Sequence, residues 1–542
     1  MAANEVAGLD WAANRLIPGF QTPQQLDVYD IRGASREAQL TITTMAGLIN
    51  RPQPKVYLLL NDPQDDFWLK TVFPHVQYEY APARNDDALE AMLIKYRDSV
   101  QGLIIYNPDF TDSINVATTL AGQRQAIIVS PAQARALQTP FKLATLFDLN
   151  QFQWRTRFQA YTWAYENLLA ASTSRMVAGL DPGGPFDSHN RGHIALRSFL
   201  VATNTFAYWL DSRDILPDIT DPLSSEHKLM EQLLSRFPAG ATHLGWFIDE
   251  PGGVGMTSRA AMPVLASDLF SNLEVFAAIP ASTLLPPPRS VPASQPARAD
   301  RVYVSFTVSD GDNLQYCARR MQTLWNDSAR GSIPIGWTIS PALLQAAPSL
   351  ATYYASTATA NDELIAGPSG AGYIFPSLWP SQKLPAFLEQ TGQLMRQMNL
   401  SLLEILDSTP LESSGLPVLG GLRATGQAFS NEQLQEQFVQ ALAPYGVQGL
   451  LSGSGTGNPE WKLVDGMPIY RNIGLANNVS QTVSMITNAA SYMRQRPLFL
   501  NVYIMAWNMK PGDLKQVAQQ LGSGYEIVTP GTLLAMLRQQ QS

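Results

Sequence analysis

The sequence contains a single cysteine, Cys317, among 542 residues. One thiol cannot form a disulfide within the chain, nor a metal site built from several cysteines. Histidine is almost as scarce, with five in all and none in residues 301–542. No G-x-S-x-G motif occurs either. These absences argue against a Ser-His-Asp hydrolase or a histidine-bound metal in the second half of the chain.

Charge and long apolar runs are also in short supply. Charged residues make up 15% of the chain, against a typical ~25%, and the net charge is −8 without a Lys/Arg cluster. Nucleic-acid binding needs a basic face, so the sequence argues against it. The longest apolar runs, such as 302–308, have strand length and not the ~18 residues of a membrane helix. We therefore expect neither nucleic-acid binding nor a membrane span; the oligomeric state stays open.

Cofactor and targeting motifs are missing too. No G-x-G-x-x-G or G-x-x-x-x-G-K-[ST] loop follows a strand-like run, so we expect no nucleotide, flavin or haem. The N-terminus lacks the basic and then apolar pattern of a signal peptide. A surface rich in Gln, Ser, Thr and Asn nevertheless suits exported proteins. We expect a secreted or cell-surface location, with a cytoplasmic one as the alternative.

What is present indicates an α/β protein of several domains. Residues 1–150 alternate apolar runs (55–60, 102–106, 126–130) with helical patterns, which predicts a β/α domain with parallel strands. Residues 151–285 read as a mainly helical α/β domain, with a helix over 193–210. Five prolines between Leu284 and Ala299 predict a stiff linker at 286–300.

Residues 301–542 again alternate strands and helices. The predicted strands are 302–308, 336–339, 372–375, 402–406, 449–452, 467–473, 498–503 and 525–528. Seven or eight strands within about 240 residues match a TIM-like (β/α) barrel. An open doubly wound sheet is the alternative.

Polar and aromatic side chains follow several of these strands. Asp310, Asp312 and Asn313 follow the first, and Glu404 lies in the fourth. The other candidates are Tyr373, Phe375 and Trp379 after the third strand, Glu460 after the fifth and Trp507 after the seventh. The C-terminal ends of parallel barrel strands open on one face, so these residues are predicted to converge. Aromatic rings stack on sugar rings, and glycosidic cleavage needs two carboxyl groups.

Other interpretations of these motifs remain open. The segment 310–313 could cap the helix that begins at Leu314, or hold a hard ion such as Ca²⁺ or Mg²⁺ near Asp310 and Asp312. The H-x-x-x-H spacing of His189 and His193 could ligate zinc on a helix, but Gly192 interrupts it. We therefore predict no zinc site.

The segment from Gly370 to Pro376, GAGYIFP, resembles the signature of the GxGYxYP family of putative glycoside hydrolases. Phe375 replaces its second tyrosine, which argues against direct chemistry by that side chain. The strand leading to Asp310 is similar to the family's other prominent segment, and the resemblance extends upstream through Gly245 and Trp246. It implies several smaller N-terminal domains before a TIM-like C-terminal domain.

The sequence therefore predicts a glycoside hydrolase. The predicted catalytic residues are Asp310, Asp312 and Glu404, with Glu404 as acid and Asp312 as base or nucleophile. The predicted substrate contacts are Asn313, Tyr373, Phe375, Trp379, Trp507, Asp249, Glu250 and Glu460. A non-catalytic carbohydrate-binding protein is the first alternative. A polysaccharide deacetylase is the second, although that class takes two barrel histidines as metal ligands.

Overall fold

The computed structural model describes residues 5–60, 63–183, 193–214, 225–280, 296–407, 431–455 and 457–540. The chain divides into two compact units, Met1–Pro280 with Gln345–Ser349, and Ala281–Leu344 with Leu350–Ser542. Most of the predicted linker lies outside the described residues. Within them, no helix combines the length and the apolar character that crossing a bilayer would require.

The first unit contains small parallel sheets and their connecting helices. Its strands are β1 (Gln25–Asp30), β2 (Val56–Leu59), β3 (Gln77–Tyr80), β4 (Gly102–Ile105), β5 (Ala126–Val129), β6 (Ala144–Asp148), β7 (Met176–Gly179), β8 (Phe206–Tyr208), β9 (Thr242–Gly245) and β10 (Val264–Ala266). Its helices are α1 (Arg36–Ile49), α2 (Gln64–Val72), α3 (Asp87–Tyr96), α4 (Ser113–Arg124), α5 (Pro131–Phe141), α6 (Arg157–Asn167), α7 (Arg197–Ala202), α8 (Glu226–Leu234), α9 (Glu250–Arg259) and α10 (Leu273–Phe276).

Three sheets result, with strand orders β2-β1-β3, β5-β4-β6 and β10-β9-β7-β8. Their pairings are parallel, which confirms the β/α alternation predicted for the N-terminal region. The predicted helix 193–210 is wrong. The helix α7 is short, and Asn204 takes a positive φ of 57° that ends the helical path. Phe206 then begins β8, where it pairs with Val177 of β7.

The second unit is built on one large sheet. Its strands are β11 (Val302–Val308), β12 (Ile335–Ile339), β13 (Asp362–Ala366), β14 (Leu402–Ile405), β15 (Gly449–Ser454), β16 (Glu460–Val464), β17 (Met467–Asn472), β18 (Leu475–Ala476), β19 (Leu498–Ile504) and β20 (Tyr525–Ile527). The remaining helices are α11 (Leu314–Ala318), α12 (Arg320–Trp325), α13 (Leu343–Ala346), α14 (Pro348–Thr357), α15 (Leu384–Gln397), α16 (Glu432–Leu442), α17 (Val479–Tyr492), α18 (Pro511–Leu521) and α19 (Pro530–Gln539).

The strand order is β16-β17-β15-β14-β13-β12-β11-β19-β18, with β20 also paired to β11. Only the β16–β17 pairing is antiparallel among these. The sheet curls into a half-barrel, and the segment that pairs with β15 also reaches β19, since Ile473 N donates to Asn501 O at 2.9 Å. The fold is thus mixed α/β with several parallel sheets; a TIM-like barrel stays a prediction.

The third predicted strand, 372–375, is wrong. The strand at that position of the sheet is β13, and residues 370–375 lie outside the named strands and lead into a short 3-10 helix at Pro376–Leu378. Gly370 has a φ of +133°, which other residues rarely adopt, and Ala371 N donates to Thr391 Oγ1 at 3.0 Å instead of to a ladder. The sequence did not predict β13 because the strand begins with two acidic residues, Asp362 and Glu363. The Asp362 side chain is nevertheless buried, where it pairs with Arg330 and Trp337.

One face of this sheet, which we call the inner face, carries Tyr303, Ser305 and Thr307 of β11. These residues pair with Phe499, Asn501 and Tyr503 of β19. Side chains alternate along a strand, so each set of three shares a face. At the N-terminal end of the strands, Tyr303 and Phe499 join the leucines of α19 in an apolar cluster. Towards the C-terminal end the inner face becomes polar.

Candidate active site

The loop after β11 turns sharply towards β12. A Cβ on Gly311 would sit 2.1 Å from the Thr338 carbonyl carbon, so only glycine fits this close approach. The Gly311 amide donates to Thr338 Oγ1 at 2.9 Å, and Thr338 Oγ1 donates to Val308 O at 2.6 Å. The loop carrying Asp310 and Asp312 is therefore fixed against the neighbouring strand.

Asp310 is partly exposed at this edge of the sheet. Its Oδ1 accepts a hydrogen bond from Trp507 Nε1 at 2.9 Å, and its Oδ2 accepts one from Ser309 Oγ. Burial of the carboxyl group raises the pKa of Asp310, although both hydrogen bonds act in the opposite direction. Trp507 is 48% exposed and packs edge-on against Tyr316, with ring centroids 5.8 Å apart.

Asp312 is buried in the same loop. Its neighbour Asn313 is the N-cap of α11, where Oδ1 accepts a hydrogen bond from Tyr316 N at 2.9 Å. The side-chain oxygen of the predicted sugar anchor Asn313 is thus engaged in capping, which was the competing interpretation of this motif.

Glu404 lies on the inner face of β14 with no exposed area. Its two carboxyl oxygens lie 3.1 and 3.2 Å from Asn472 Nδ2. Burial raises the pKa of Glu404 to about 8, against the lowering effect of these hydrogen bonds. A group with that pKa carries its proton at neutral pH.

A chain of buried hydrogen bonds connects Glu404 to β11. Asn472 Oδ1 accepts from Asn501 Nδ2, and Asn501 in turn bonds with Ser305 and Thr307. The contacts cross β15 and join four strands, so they fix the polar half of the inner face. Sequence reasoning missed Asn472 and Asn501. The available signal was Asn501, which stands among apolar and aromatic residues in the run 498–504 and so indicates a buried amide. Its hydrogen-bond partners depend on strand register and could not be predicted.

Tyr503 lies next to this network at the C-terminal end of β19. Burial raises the pKa of Tyr503, and the charges of Glu404, Asp310 and Asp312 raise it further. All three predicted catalytic carboxyl groups therefore lie within electrostatic reach of one phenol. The sequence placed Tyr503 at a strand end but assigned it no role.

The predicted aromatic walls are buried, with one exception. Tyr373 and Phe375 pack edge-on with centroids 5.5 Å apart, and Trp379 packs on Phe387 at 5.0 Å. Trp507 alone among these predicted contacts is an exposed aromatic ring.

The loop that carries Tyr373 and Phe375 is tied to the end of β14. Ser369 Oγ donates to Leu406 O at 3.0 Å, and Ser377 binds Asp407 through its amide at 3.0 Å and through its hydroxyl. These bonds hold the signature segment beside the strand that bears Glu404.

Other predicted contacts lie elsewhere. Glu460 is exposed on the β16–β17 hairpin and accepts from Arg471 Nη1 at 2.9 Å. Asp249 and Glu250 belong to the first unit, where Asp249 caps α9 by accepting from Gly252 N at 3.0 Å. These positions do not support the predicted role of the three residues as sugar contacts.

The histidine motif divides between described and undescribed residues. His189 lies outside the described residues, and His193 Nδ1 lies 3.0 Å from Asp268 Oδ2. In the parts of the chain that the structure covers, no three His, Cys, Asp or Glu side chains gather as a metal site would require.

Comparison with solved structures identifies a relative of the same fold over nearly the whole chain. It is the crystal structure of a "putative hydrolase from Bacteroides thetaiotaomicron VPI-5482", with a TM-score of 0.77 and 22% identity, covering 98% of this chain and 99% of that one. A "putative polysaccharide deacetylase from Mycobacterium smegmatis" overlaps 48% of this chain and 96% of its own, at 10% identity and a TM-score of 0.31, too low for any inference. No curated protein matches the chain.

Family models match the chain almost end to end. Residues 25–98, 100–172 and 185–278 match the first, second and third GxGYxYP N-terminal domains. Residues 300–538 match the "GxGYxYP putative glycoside hydrolase C-terminal domain". The chain belongs to the GxGYxYP family.

Proposed function

We propose that the second unit is a glycoside hydrolase that cleaves a carbohydrate at the C-terminal edge of its curled, TIM-like sheet. The observation that carries this proposal is a partly exposed carboxyl group, Asp310, which accepts a hydrogen bond from the exposed ring of Trp507 at 2.9 Å and has Asp312 two residues away in the same loop. Glycosidic cleavage needs a carboxylic acid and a carboxylate on either side of the scissile bond. The description of the family's C-terminal domain agrees with that chemistry.

The carboxyl groups differ in their hydrogen-bond partners. Both carboxyl oxygens of Glu404 lie within hydrogen-bond distance of Asn472 Nδ2, inside the buried network of the inner face. Asp310 is partly exposed, is adjacent to the exposed ring of Trp507, and has a raised pKa that favours the protonated form. We therefore assign the acid role to Asp310 and the base or nucleophile role to Asp312. Glu404 then holds the polar network beneath them.

Trp507 supplies the stacking surface for a sugar ring. Its indole N–H is held by Asp310, which orients the exposed ring beside the proposed acid. An aromatic face suits the C–H face of a pyranose, and the acid lies at its edge. This chemistry needs no nucleotide, flavin or haem.

The test compares wild type with Asp310→Asn and Asp312→Asn on a broad panel of aryl glycosides and oligosaccharides. We expect hydrolysis of at least one substrate by wild type, and a loss of about 10²–10⁴-fold in each variant, the range for general acid–base groups. Asp465→Asn, in the exposed turn of the β16–β17 hairpin, is the matched control and should keep full activity.

Two results would contradict the proposal. Saturable sugar binding by wild type without any cleavage would favour the carbohydrate-binding alternative. Release of acetate from acetylated glycans, without cleavage of glycosidic bonds, would favour the deacetylase alternative.

A further inference from the structure

Four of the buried tyrosines of the second unit fall into two classes. The hydroxyl of Tyr470 donates to Phe499 O at 2.8 Å and accepts from Asn501 N at 3.2 Å. The hydroxyl of Tyr354 donates to Cys317 O at 2.5 Å. The hydroxyls of Tyr316 and Tyr503 are buried and have no hydrogen-bond partner among the described residues.

A buried hydroxyl without a partner is costly. Removing such a group from water forfeits its hydrogen bonds to solvent, so nearly all buried polar groups in proteins are paired. Two unpaired phenols in one unit therefore call for partners, and both occur at the same place.

That place is the edge of the sheet where β11 and β19 end. The two chain segments run side by side beyond the strands, since Ser309 N donates to Ile504 O at 2.9 Å and Ala506 N donates to Ser309 Oγ at 3.1 Å. Tyr503 ends the inner face of β19, and Tyr316 lies in the first turn of α11. The same two segments carry Asp310 and Trp507, and Trp507 Nε1 donates a hydrogen bond to Asp310 Oδ1.

The two phenols can act only as neutral hydrogen-bond donors and acceptors. Burial raises the pKa of both far above the usual value, and Asp310 raises both further. Each therefore keeps its proton at any pH at which the protein works. A pair of fixed O–H groups beside a carboxyl group is suited to the oxygens of a sugar hydroxyl or acetal.

We propose that Tyr316 and Tyr503 are substrate-contacting residues whose hydroxyls donate hydrogen bonds to the oxygens of the sugar unit bound beside Asp310. This inference rests on the proposed function, and it adds the contacts that recognise the sugar. It also accounts for tyrosine at these two positions, because phenylalanine would fill the same space without burying a polar group that has no partner among the described residues.

The test is a set of four Tyr→Phe variants in the full chain. Tyr316→Phe and Tyr503→Phe remove the unpaired hydroxyls, while Tyr354→Phe and Tyr470→Phe remove paired ones as matched controls. Each variant is examined by urea denaturation and by kcat, KM and sugar affinity on the best substrate of the glycan panel.

Loss of an unpaired hydroxyl should leave the urea midpoint unchanged or raised, whereas the two controls should have lower midpoints. Hydrolysis should respond in the opposite way. We expect kcat/KM to fall about 10-fold in Tyr316→Phe and Tyr503→Phe, mainly through KM, as one lost hydrogen bond implies. The controls should keep wild-type kcat/KM.

Two outcomes overturn the inference while leaving the proposed function standing. One is wild-type kinetics and sugar affinity in Tyr316→Phe and Tyr503→Phe. The other is a midpoint that falls as far as in the controls, which would mean that the hydroxyls have structural partners. If wild type binds sugars without cleaving them, the proposed function fails, and a 10-fold loss of affinity in the two variants still supports the inference. If wild type neither binds nor cleaves any sugar, both proposals fail.

Discussion

The two ends of the inner face of the large sheet are built from the same strands but from different side chains. At the N-terminal end, Tyr303 and Phe499 stack with centroids 5.5 Å apart against leucines of α19. At the C-terminal end, the same two strands carry Thr307 and Tyr503, and the charges of three carboxyl groups raise the pKa of Tyr503.

The treatment of polar groups differs in the same direction. At the N-terminal end the Tyr470 hydroxyl makes two hydrogen bonds. Glu363 accepts a hydrogen bond from Gly531 N, at the start of α19, at 2.7 Å. At the C-terminal end the hydroxyls of Tyr316 and Tyr503 have no hydrogen-bond partner among the described residues. One end thus satisfies its polar groups internally, and on our proposal the other end keeps polar groups available for a ligand.

The largest expected effect comes from Phe499→Ala at the apolar end. It removes a buried ring from the cluster with Tyr303 and α19, so the free energy of unfolding should fall by about 3–5 kcal/mol, as measured by urea denaturation. The kcat of the remaining folded protein should stay at the wild-type value. A large drop in kcat at unchanged stability would mean that the two ends are not functionally separate.

An intermediate effect is expected from Glu404→Gln at the polar end. The pKa of Glu404 is about 8 in the folded protein, above its usual value, so the folded state binds the proton more tightly than the unfolded chain. Wild-type stability should therefore fall as pH rises from about 5 to 8, with this group contributing at most about 1.4 kcal/mol per pH unit.

Glutamine cannot ionise, so Glu404→Gln should flatten this slope and be more stable than wild type near pH 8. The measurement is urea denaturation from pH 5 to 9. Glu389→Gln, at an exposed position on α15, is the control and should leave the slope unchanged. An identical slope in wild type and Glu404→Gln would show that Glu404 is already ionised at neutral pH.

The smallest effect on stability is expected from Trp507→Phe. The ring is 48% exposed, so the free energy of unfolding should change by less than about 1 kcal/mol. The change removes the indole donor that lowers the pKa of Asp310. If Asp310 is the acid, the alkaline limb of the kcat/KM–pH profile should move to higher pH. Trp461→Phe on the hairpin is the control, and a shift of equal size in that variant would remove Asp310 from this explanation.

Sequence patterns predicted the strands of the large sheet well where the runs are mostly apolar, as for β11, β14 and β19. They failed where burial and polarity coincide. The strand β13 begins with Asp362 and Glu363, whose charges are met by Arg330 and by the amide of Gly531, partners distant in sequence. The apolar segment 372–375 resembles a strand in sequence. The positive φ of Gly370 and the hydrogen bond from Ala371 to Thr391 hold it outside the sheet, and neither feature can be read from an apolar pattern.

For the candidate site, position at strand ends singled out the proposed acids, whereas their surroundings could not be predicted. Asp310 and Glu404 follow or lie in predicted strands, so topology alone suggested that they converge. Their protonation depends on burial and on Asn472 and Trp507, which are brought near only by strand register and loop path. The unpaired state of Tyr503 is likewise a property of the folded structure.

The pairing of β11 with β19 has a consequence for how the protein is made. The first strand of the second unit finds its full-length partner only far along the chain, since the Ser305–Asn501 contact spans 196 residues. At ribosomal rates of about 5–20 residues per second, β19 is synthesised on the order of ten seconds or more after β11. The backbone N–H and C=O groups of β11 that later pair with β19 have no strand partner during this interval. Newly made chains should therefore depend on chaperones at this step, and folding of this unit should be slow, as expected for contacts of high sequence separation.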